Sequence, residues 1–442
     1  MQVLNSLSLK SLSQGAVCST PSPQRPLRVL YYIAYFQRMA GANRSLFELI
    51  THLPDTVTPL VVIAGEGRAA DAYREAGIEV VIMPPGQQLN QFGKVMLSWS
   101  WLKRAQVALT ELVPYTLHCL ALMQEWEPDI VHVNCSRGNL MIGAAARLWG
   151  CPLVGHMRVQ LAFNDISQWY FEQITHRIMT VCDAIQQDLS PAARKKTTTL
   201  YNGVQEIDSV GQPSPWVQSL KAQGTLILTC FASIVPFKGQ HHLLEAVAEL
   251  NRRGWGDRLA VFCIGDIEDE YLDYAHFLME KMQTLGIDNV TLTGWQSNPF
   301  PFYQAADIEV LPSVTREVLD YGDHLVTVKG NEGFPRTHLE AMQFGLPVIG
   351  TDIAGVREQI TDGVNGFVVP PGDALALADA LERLLQDADL RSRLGQAGRE
   401  RVEEKFSTAA HVKGMMQVYR ELLGDKITQI GVGTNESLGY TA

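Results

Sequence analysis

The residues best suited to chemistry fall in one stretch, Asn331-Glu-Gly-Phe-Pro-Arg-Thr-His-Leu-Glu340, followed by Ala-Met-Gln-Phe-Gly-Leu-Pro-Val-Ile-Gly-Thr-Asp352. Gly333 lets the backbone approach a ligand closely, and Pro335 suits the first turn of a helix. A helix starting near residues 335–337 would aim free N–H groups at an anion, and a diphosphate fits such a site. Glu332 would lie in the loop and Glu340 about a turn into the helix, leaning back toward its start. A carboxylate repels phosphate, so each needs another partner, and two vicinal sugar hydroxyls can donate to one carboxylate together. A capping loop with a surface glutamate is the other reading of this pair. A second segment, Phe231-Ala-Ser-Ile-Val-Pro-Phe-Lys-Gly239, puts Lys238 before a glycine and a helix start. There it meets a phosphate as a point charge, or else sits in a solvated turn.

These segments need strands to position them. Leu27-Arg-Val-Leu-Tyr-Tyr-Ile33 reads as a buried strand, followed by a small-residue loop with Gly41 and a helical pattern over 43–53. Strand candidates recur at 60–64, 79–83, 130–134, 153–156 and 177–181. A polar, proline-containing stretch at 206–223 interrupts them, and the alternation restarts at 226–231, 259–264, 290–293, 308–311, 347–350 and 366–369. Strands alternating with helices at this spacing predict parallel sheets covered on both faces. The fold class is α/β, with two doubly wound Rossmann-like domains, 27–205 and 206–405, facing across a cleft. Ligands bind at the carboxyl ends of such strands, so two facing sheets make a two-substrate site. A C-terminal helix at 406–425 is expected to pack back on the first domain. Residues 1–26, rich in Ser, Gln and Pro, read as a disordered leader, and 426–442 as a flexible tail.

Composition narrows the classes. A chain of 442 residues exceeds one ordinary core. No apolar run reaches the ~20 residues of a spanning helix. The net charge of −11 argues against a nucleic-acid partner, which needs a basic footprint. Seven single cysteines with no C-x-x-C pair read as buried thiols of a reducing, cytoplasmic compartment. The sequence shows no zinc-type cluster and no phosphate loop of the G-x-x-x-x-G-K type, so no metal is expected. Residues 91–126 carry Trp99, Trp101, Leu102 and Trp126 among Lys94, Lys103 and Arg104. They read either as an interfacial surface meeting a lipid-linked acceptor at the inner membrane face or as a helix packed on the first sheet. Gly65-Glu-Gly-Arg-Ala-Ala70 has a dinucleotide-like spacing but follows the second strand, and Asp387-Ala-Asp389 reads as a solvated helix cap.

Glu332 and Glu340 in an E-x7-E pair, Lys238-Gly239, Asp352-Ile-Ala-Gly-Val-Arg-Glu358 and Asp362-Gly-Val-Asn-Gly-Phe-Val-Val-Pro-Pro-Gly372 occur in this order. Together they resemble the family-4 retaining glycosyltransferases (glycosyl transferases group 1), whose two-domain fold is GT-B. The resemblance spans about residues 29–406 and is strongest from 225 onward. It implies a hexosyltransferase using a UDP- or GDP-linked sugar and a carbohydrate or lipid-linked acceptor, with no cofactor. Glu340 would hold the ribose and Glu332 the transferred sugar. Gly333, Phe334, Pro335 and Arg336 would lie along sugar and diphosphate, and Lys238 would stabilise the leaving diphosphate. Trp295 would mark the nucleobase contact, while Gly41 and Ala42 would belong to the loop closing over the donor phosphate. Ser233 stands where the family has an arginine, which leaves Arg336 or Arg316 to replace that cation. Asn134 stands where the family has a histidine, leaving His132 and His156 as nearby catalytic candidates or as core residues. About 14 residues within 314–329 are inserted relative to the family. The implied reaction is same-face transfer with the donor phosphate helping to deprotonate the acceptor. A GT-B epimerase or phosphorylase, or a non-catalytic nucleotide- or glycan-binding relative, is the alternative.

Overall fold

A computed structural model describes residues 25–424 except 38, 40, 91–98, 160–164, 208–209 and 331. The expected leader (but for residues 25 and 26) and the expected tail therefore lie outside the described residues, as do Asn331 and Lys94. The first half builds a seven-stranded parallel sheet from β1 (Leu27–Ile33), β2 (Val57–Ile63), β3 (Glu79–Ile82), β4 (Ile130–Val133), β5 (Leu153–Met157), β6 (Arg177–Thr180) and β7 (Thr197–Thr199). Their order is β3-β2-β1-β4-β5-β6-β7. The second half builds a six-stranded parallel sheet from β8 (Leu226–Phe231), β9 (Leu259–Ile264), β10 (Val290–Gly294), β11 (Ile308–Leu311), β14 (Val348–Thr351) and β15 (Gly366–Val369). Its order is β10-β9-β8-β11-β14-β15. This is an α/β GT-B architecture of two Rossmann-like units. Strand order reverses beside β1 and beside β8, so a crevice opens at the carboxyl ends of β1/β4 and of β8/β11.

The inserted segment forms an antiparallel hairpin, β12 (Arg316–Asp320) with β13 (Leu325–Lys329). Leu319 and Val328 face the core of the second half while Arg316, Val318 and Lys329 face outward. The last helix, Thr408–Leu423, starts from a Ser407 cap and lays Val412, Met415, Met416 and Tyr419 against β1 and the helix Gly41–Thr51. Residues 99–126 divide their faces. Tyr115, Cys119, Met123 and Trp126 pack under the first sheet, whereas Trp101 is 74% exposed, with Leu102, Leu109 and Leu117 also outside. Among the described residues no helix is long and apolar enough to cross a membrane.

Candidate active site

Lys238 ends a short 3-10 turn, Pro236–Lys238, just beyond β8. The next residue must be glycine. Gly239 has φ +71°, and a Cβ there would stand 2.0 Å from the Pro312 carbonyl oxygen. The tight turn launches the helix Gln240–Arg252 and points the Lys238 ammonium at Glu332 Oε1, with which it pairs. Ser313, just past β11, donates its hydroxyl to the same oxygen at 2.9 Å. The proposed phosphate cation and the proposed sugar carboxylate thus hold each other, both largely buried. The Ser233 carbonyl accepts from Gln240 Nε2 at 3.0 Å, which fixes the loop between β8 and Lys238.

Gly333 brings the two halves into contact: a Cβ there would stand 2.0 Å from the Arg158 carbonyl oxygen at the end of β5. Phe334 is buried, stacked on Tyr201 at 5.1 Å, and its carbonyl accepts from Asn202 Nδ2 at 3.3 Å. Pro335 caps the helix Arg336–Gln343. Arg336 reaches across to the first half. Its Nη1 donates to the Gly203 carbonyl at 2.9 Å and the Ser45 hydroxyl at 3.2 Å, and its Nη2 to Glu48 Oε1 at 2.7 Å. The buried carboxylate attracts the guanidinium, so Arg336 ties the halves together. Arg316 is exposed at the start of the hairpin. Glu340 is buried; its Oε1 lies 3.3 Å from Arg336 and 3.6 Å from Arg44, and its Oε2 accepts from the Tyr303 hydroxyl at 3.1 Å. Burial first, then the charge of Glu340, pushes the Tyr303 phenol well above its ordinary range, so it stays a donor. A cavity of about 240 Å³ between the halves is lined by Arg44, Glu48, Phe300, Arg336, Glu340 and Gln343, among others. Trp295 is 59% exposed beyond β10, two strands from β8.

A larger cavity of about 610 Å³ opens at the ends of β1, β4 and β5, lined by Phe36, Ala42, Asn134, Arg137, His156 and Arg158, among others. Gly41 begins the helix beside it with open space where a Cβ would go. Asn134 donates Nδ2 to the Ala42 carbonyl at 3.1 Å and accepts from Arg158 Nε at 2.9 Å. Arg158 also donates Nη1 to Asn202 Oδ1 at 2.5 Å, and its buried Nη2 has no hydrogen-bond partner among the described residues. Burial, reinforced by the Arg336 charge, brings the Arg158 guanidinium down to about 9. His156 is fully buried at the cavity wall with both ring nitrogens unpartnered among the described residues. Burial, then the charge of Arg158, pushes it well below its ordinary range, so its ring is neutral. His132 has the surroundings of the core reading. It is buried in the core, its Nδ1 sharing a 2.7 Å hydrogen bond with the Tyr419 hydroxyl, and burial followed by Arg158 pushes it to about 3. Arg158, Arg44, Tyr303 and Ser313 were missed as site residues from sequence. Arg44 stands two residues after Ala42, and Arg158 directly follows β5.

The description "Glycosyl transferases group 1" matches residues 216–401, and "Glycosyltransferase Family 4" matches residues 39–206. The D-inositol 3-phosphate glycosyltransferase of Frankia alni is 32% identical over 326 residues, 67% of this chain and 74% of that protein. The chain belongs to the group 1 glycosyltransferases. The capsular polysaccharide biosynthesis glycosyltransferase CapM of Staphylococcus aureus is 24% identical to this glycosyltransferase, covering 86% of the chain and 98% of CapM. Among solved structures, Anabaena HepE in complex with UDP superposes with TM-score 0.72 at 19% identity. That match covers 89% of this glycosyltransferase and 100% of HepE. At that identity HepE speaks for the fold of the glycosyltransferase alone.

Proposed function

We propose that this glycosyltransferase moves a hexosyl unit from a UDP- or GDP-linked sugar to a carbohydrate or lipid-linked acceptor with retention at the anomeric carbon. The observation that carries this reading is the Lys238–Glu332–Ser313 group at the ends of β8 and β11, facing the Asn134–Arg158 cavity across Gly333. A diphosphate entering beside Lys238 offers the ammonium a second anion. Glu332, partly released, then accepts from sugar hydroxyls. Lys238 and the N–H groups opening the helix at Arg336 favour the charge that grows on the leaving diphosphate, which is the electrostatic form of catalysis. In this reading Glu340, with Tyr303 on one oxygen, takes the ribose, Trp295 lies at the base, and Gly41 and Ala42 close over the phosphate. Ser233 and Arg336 contribute by shaping the loop and the closed cleft. The acceptor hydroxyl donates its proton to a donor phosphate oxygen as the new glycosidic bond forms, and neutral His156 lies in the wall of the acceptor cavity. The reaction itself is assigned no metal and no cofactor.

The domain divide near residue 205 belongs to the same reading, supported by the crossing where Val204 pairs with Ser407. So does contact of residues 91–126 with a lipid-linked acceptor at the inner membrane face of the cytoplasm, supported by exposed Trp101, Leu102, Leu109 and Leu117. HepE has been solved with UDP-glucose, which favours a nucleotide-sugar donor. Thermal-shift measurement against UDP-, GDP- and ADP-sugars, followed by product analysis with a labelled donor, tests the proposal, since ligands that bind the folded state raise its stability. A stabilising donor that yields a retained glycoside supports it. Epimerised donor, or a sugar phosphate, assigns the epimerase or phosphorylase alternative instead, and binding without turnover assigns a non-catalytic binder.

A further inference from the structure

The hairpin β12–β13 carries a carboxylate on the side that faces the core. Glu317 pairs in register with Val328 and shares its face with buried Leu319, so its charge needs a partner there. Two consecutive histidines in the first turn of the helix Gln240–Arg252 supply it. Glu317 Oε2 lies 2.8 Å from His242 Nε2, and Glu317 Oε1 lies 2.9 Å from His241 Nε2.

The outer nitrogens of both rings face anchoring groups. His241 Nδ1 is 2.8 Å from the Tyr274 hydroxyl, which donates its own proton to Gln240 Oε1 at 3.2 Å. His241 Nδ1 must then be the donor, and its Nε2 turns a lone pair toward the carboxylate. Neither His241 Nε2 nor Glu317 Oε1 makes an aligned hydrogen bond despite their 2.9 Å separation. His242 Nδ1 is 3.5 Å from Glu245 Oε2, and Glu245 is held in turn by Lys281 at 2.6 Å. An imidazole whose far nitrogen is fixed by a hydroxyl while the near one faces a carboxylate, as in His241, is the arrangement that orients metal ligands, whereas His242 Nδ1 makes no hydrogen bond among the described residues. The three donor atoms lie within 4.8 Å of one another. Ligand atoms each ~2.0–2.1 Å from one cation would be roughly 2.9–3.4 Å apart, close to the 2.8 and 2.9 Å that separate Glu317 from the two imidazoles.

We propose that His241, His242 and Glu317 bind a divalent transition-metal ion, zinc by the character of the ligands, as a structural clip. Two imidazoles and one carboxylate suit zinc, with water as fourth ligand, a more open shell than the four-residue set of most structural zinc sites. The clip fastens the hairpin to the helix that begins just behind Lys238 and takes no part in the transfer step. Sequence spacing conceals it, because the carboxylate comes 75 residues after His242.

The full chain, loaded with zinc chloride and dialysed into metal-free buffer, is analysed for metal by mass spectrometry and for melting temperature. The wild type should retain one zinc per chain and melt higher with zinc than after chelator treatment. Glu317→Gln and His242→Gln should each cut retention about tenfold or more and lose the zinc-dependent shift. Cobalt loading of the wild type needs no variant: a visible absorption band that zinc displaces is expected. A wild type that retains no metal and shows neither melting shift nor cobalt band overturns the proposal. Retention and shift unchanged in both variants overturn it as well.

Discussion

The two sides of the cleft handle charge differently. At the ends of β8 and β11, Lys238 is matched by Glu332, and beside them Arg336, with Arg44 of the first half, is matched by Glu48 and Glu340. At the ends of β4 and β5, Arg158 is met only by the amide oxygens of Asn134 and Asn202 among its hydrogen bonds. A matched ion pair rests in place until a ligand offers one member a better partner. A buried guanidinium without a carboxylate is costly until an anion arrives. The Lys238 side is therefore poised to exchange partners, and the Arg158 side to receive negative charge.

Substitutions can break this comparison, and the largest effect is expected on the matched side. Lys238→Ala should lower kcat about 10²–10³-fold, as loss of one preorganised donor does elsewhere, measured by donor turnover at saturation. An effect under tenfold would remove Lys238 from leaving-group stabilisation. Arg336→Met leaves buried Glu48 and Glu340 to share Arg44, so unfolding in denaturant should reveal a loss toward the lower end of the ~3–5 kcal/mol of a broken buried pair. Arg158→Met leaves no unpaired carboxylate among the partners of Arg158. It should cost less stability than Arg336→Met while slowing transfer by about tenfold or more, much as loss of one preorganised donor does. Equal destabilisation by the two would erase the distinction between the sides.

The smallest effect concerns pH. Burial holds His132 at about 3 and His156 and His411 well below their ordinary range. Their folded values lie under the unfolded value near 6.5, so the unfolded chain binds protons that the folded one refuses. This contribution is complete above about pH 6.5 and drains away as pH falls toward 3. Melting temperature should accordingly fall less steeply between about pH 6.5 and 4.5 for His132→Gln than for the wild type. Parallel curves would mean that His132 is protonated in the folded state.

The fold was legible where apolar runs were long. Every strand expected from 226–231 to 366–369 has a counterpart in the second sheet. Missing were β7, whose three threonines have no apolar pattern, and the hairpin, whose inward Glu317 breaks the alternation that would have marked a strand. The helix start at Arg336 could be read from Pro335, but the partners of Arg336 could not, since Glu48 lies 288 residues away. Arg158 was hidden for a related reason. One basic residue after a strand gives no sign that Asn134 and Asn202 will close around it. The burial of His132 was not legible either, since Tyr419 of the last helix, which covers it, lies 287 residues away.

The most direct measurement follows the anomeric centre during turnover. A sugar nucleotide that stabilises the protein is incubated with an acceptor, and the product linkage is read by proton NMR for wild type and Lys238→Ala. The account predicts a glycoside with the configuration of the donor, formed with release of nucleoside diphosphate and slowed about 10²–10³-fold in the variant. An inverted product, or one formed at equal rates by both proteins, would contradict it.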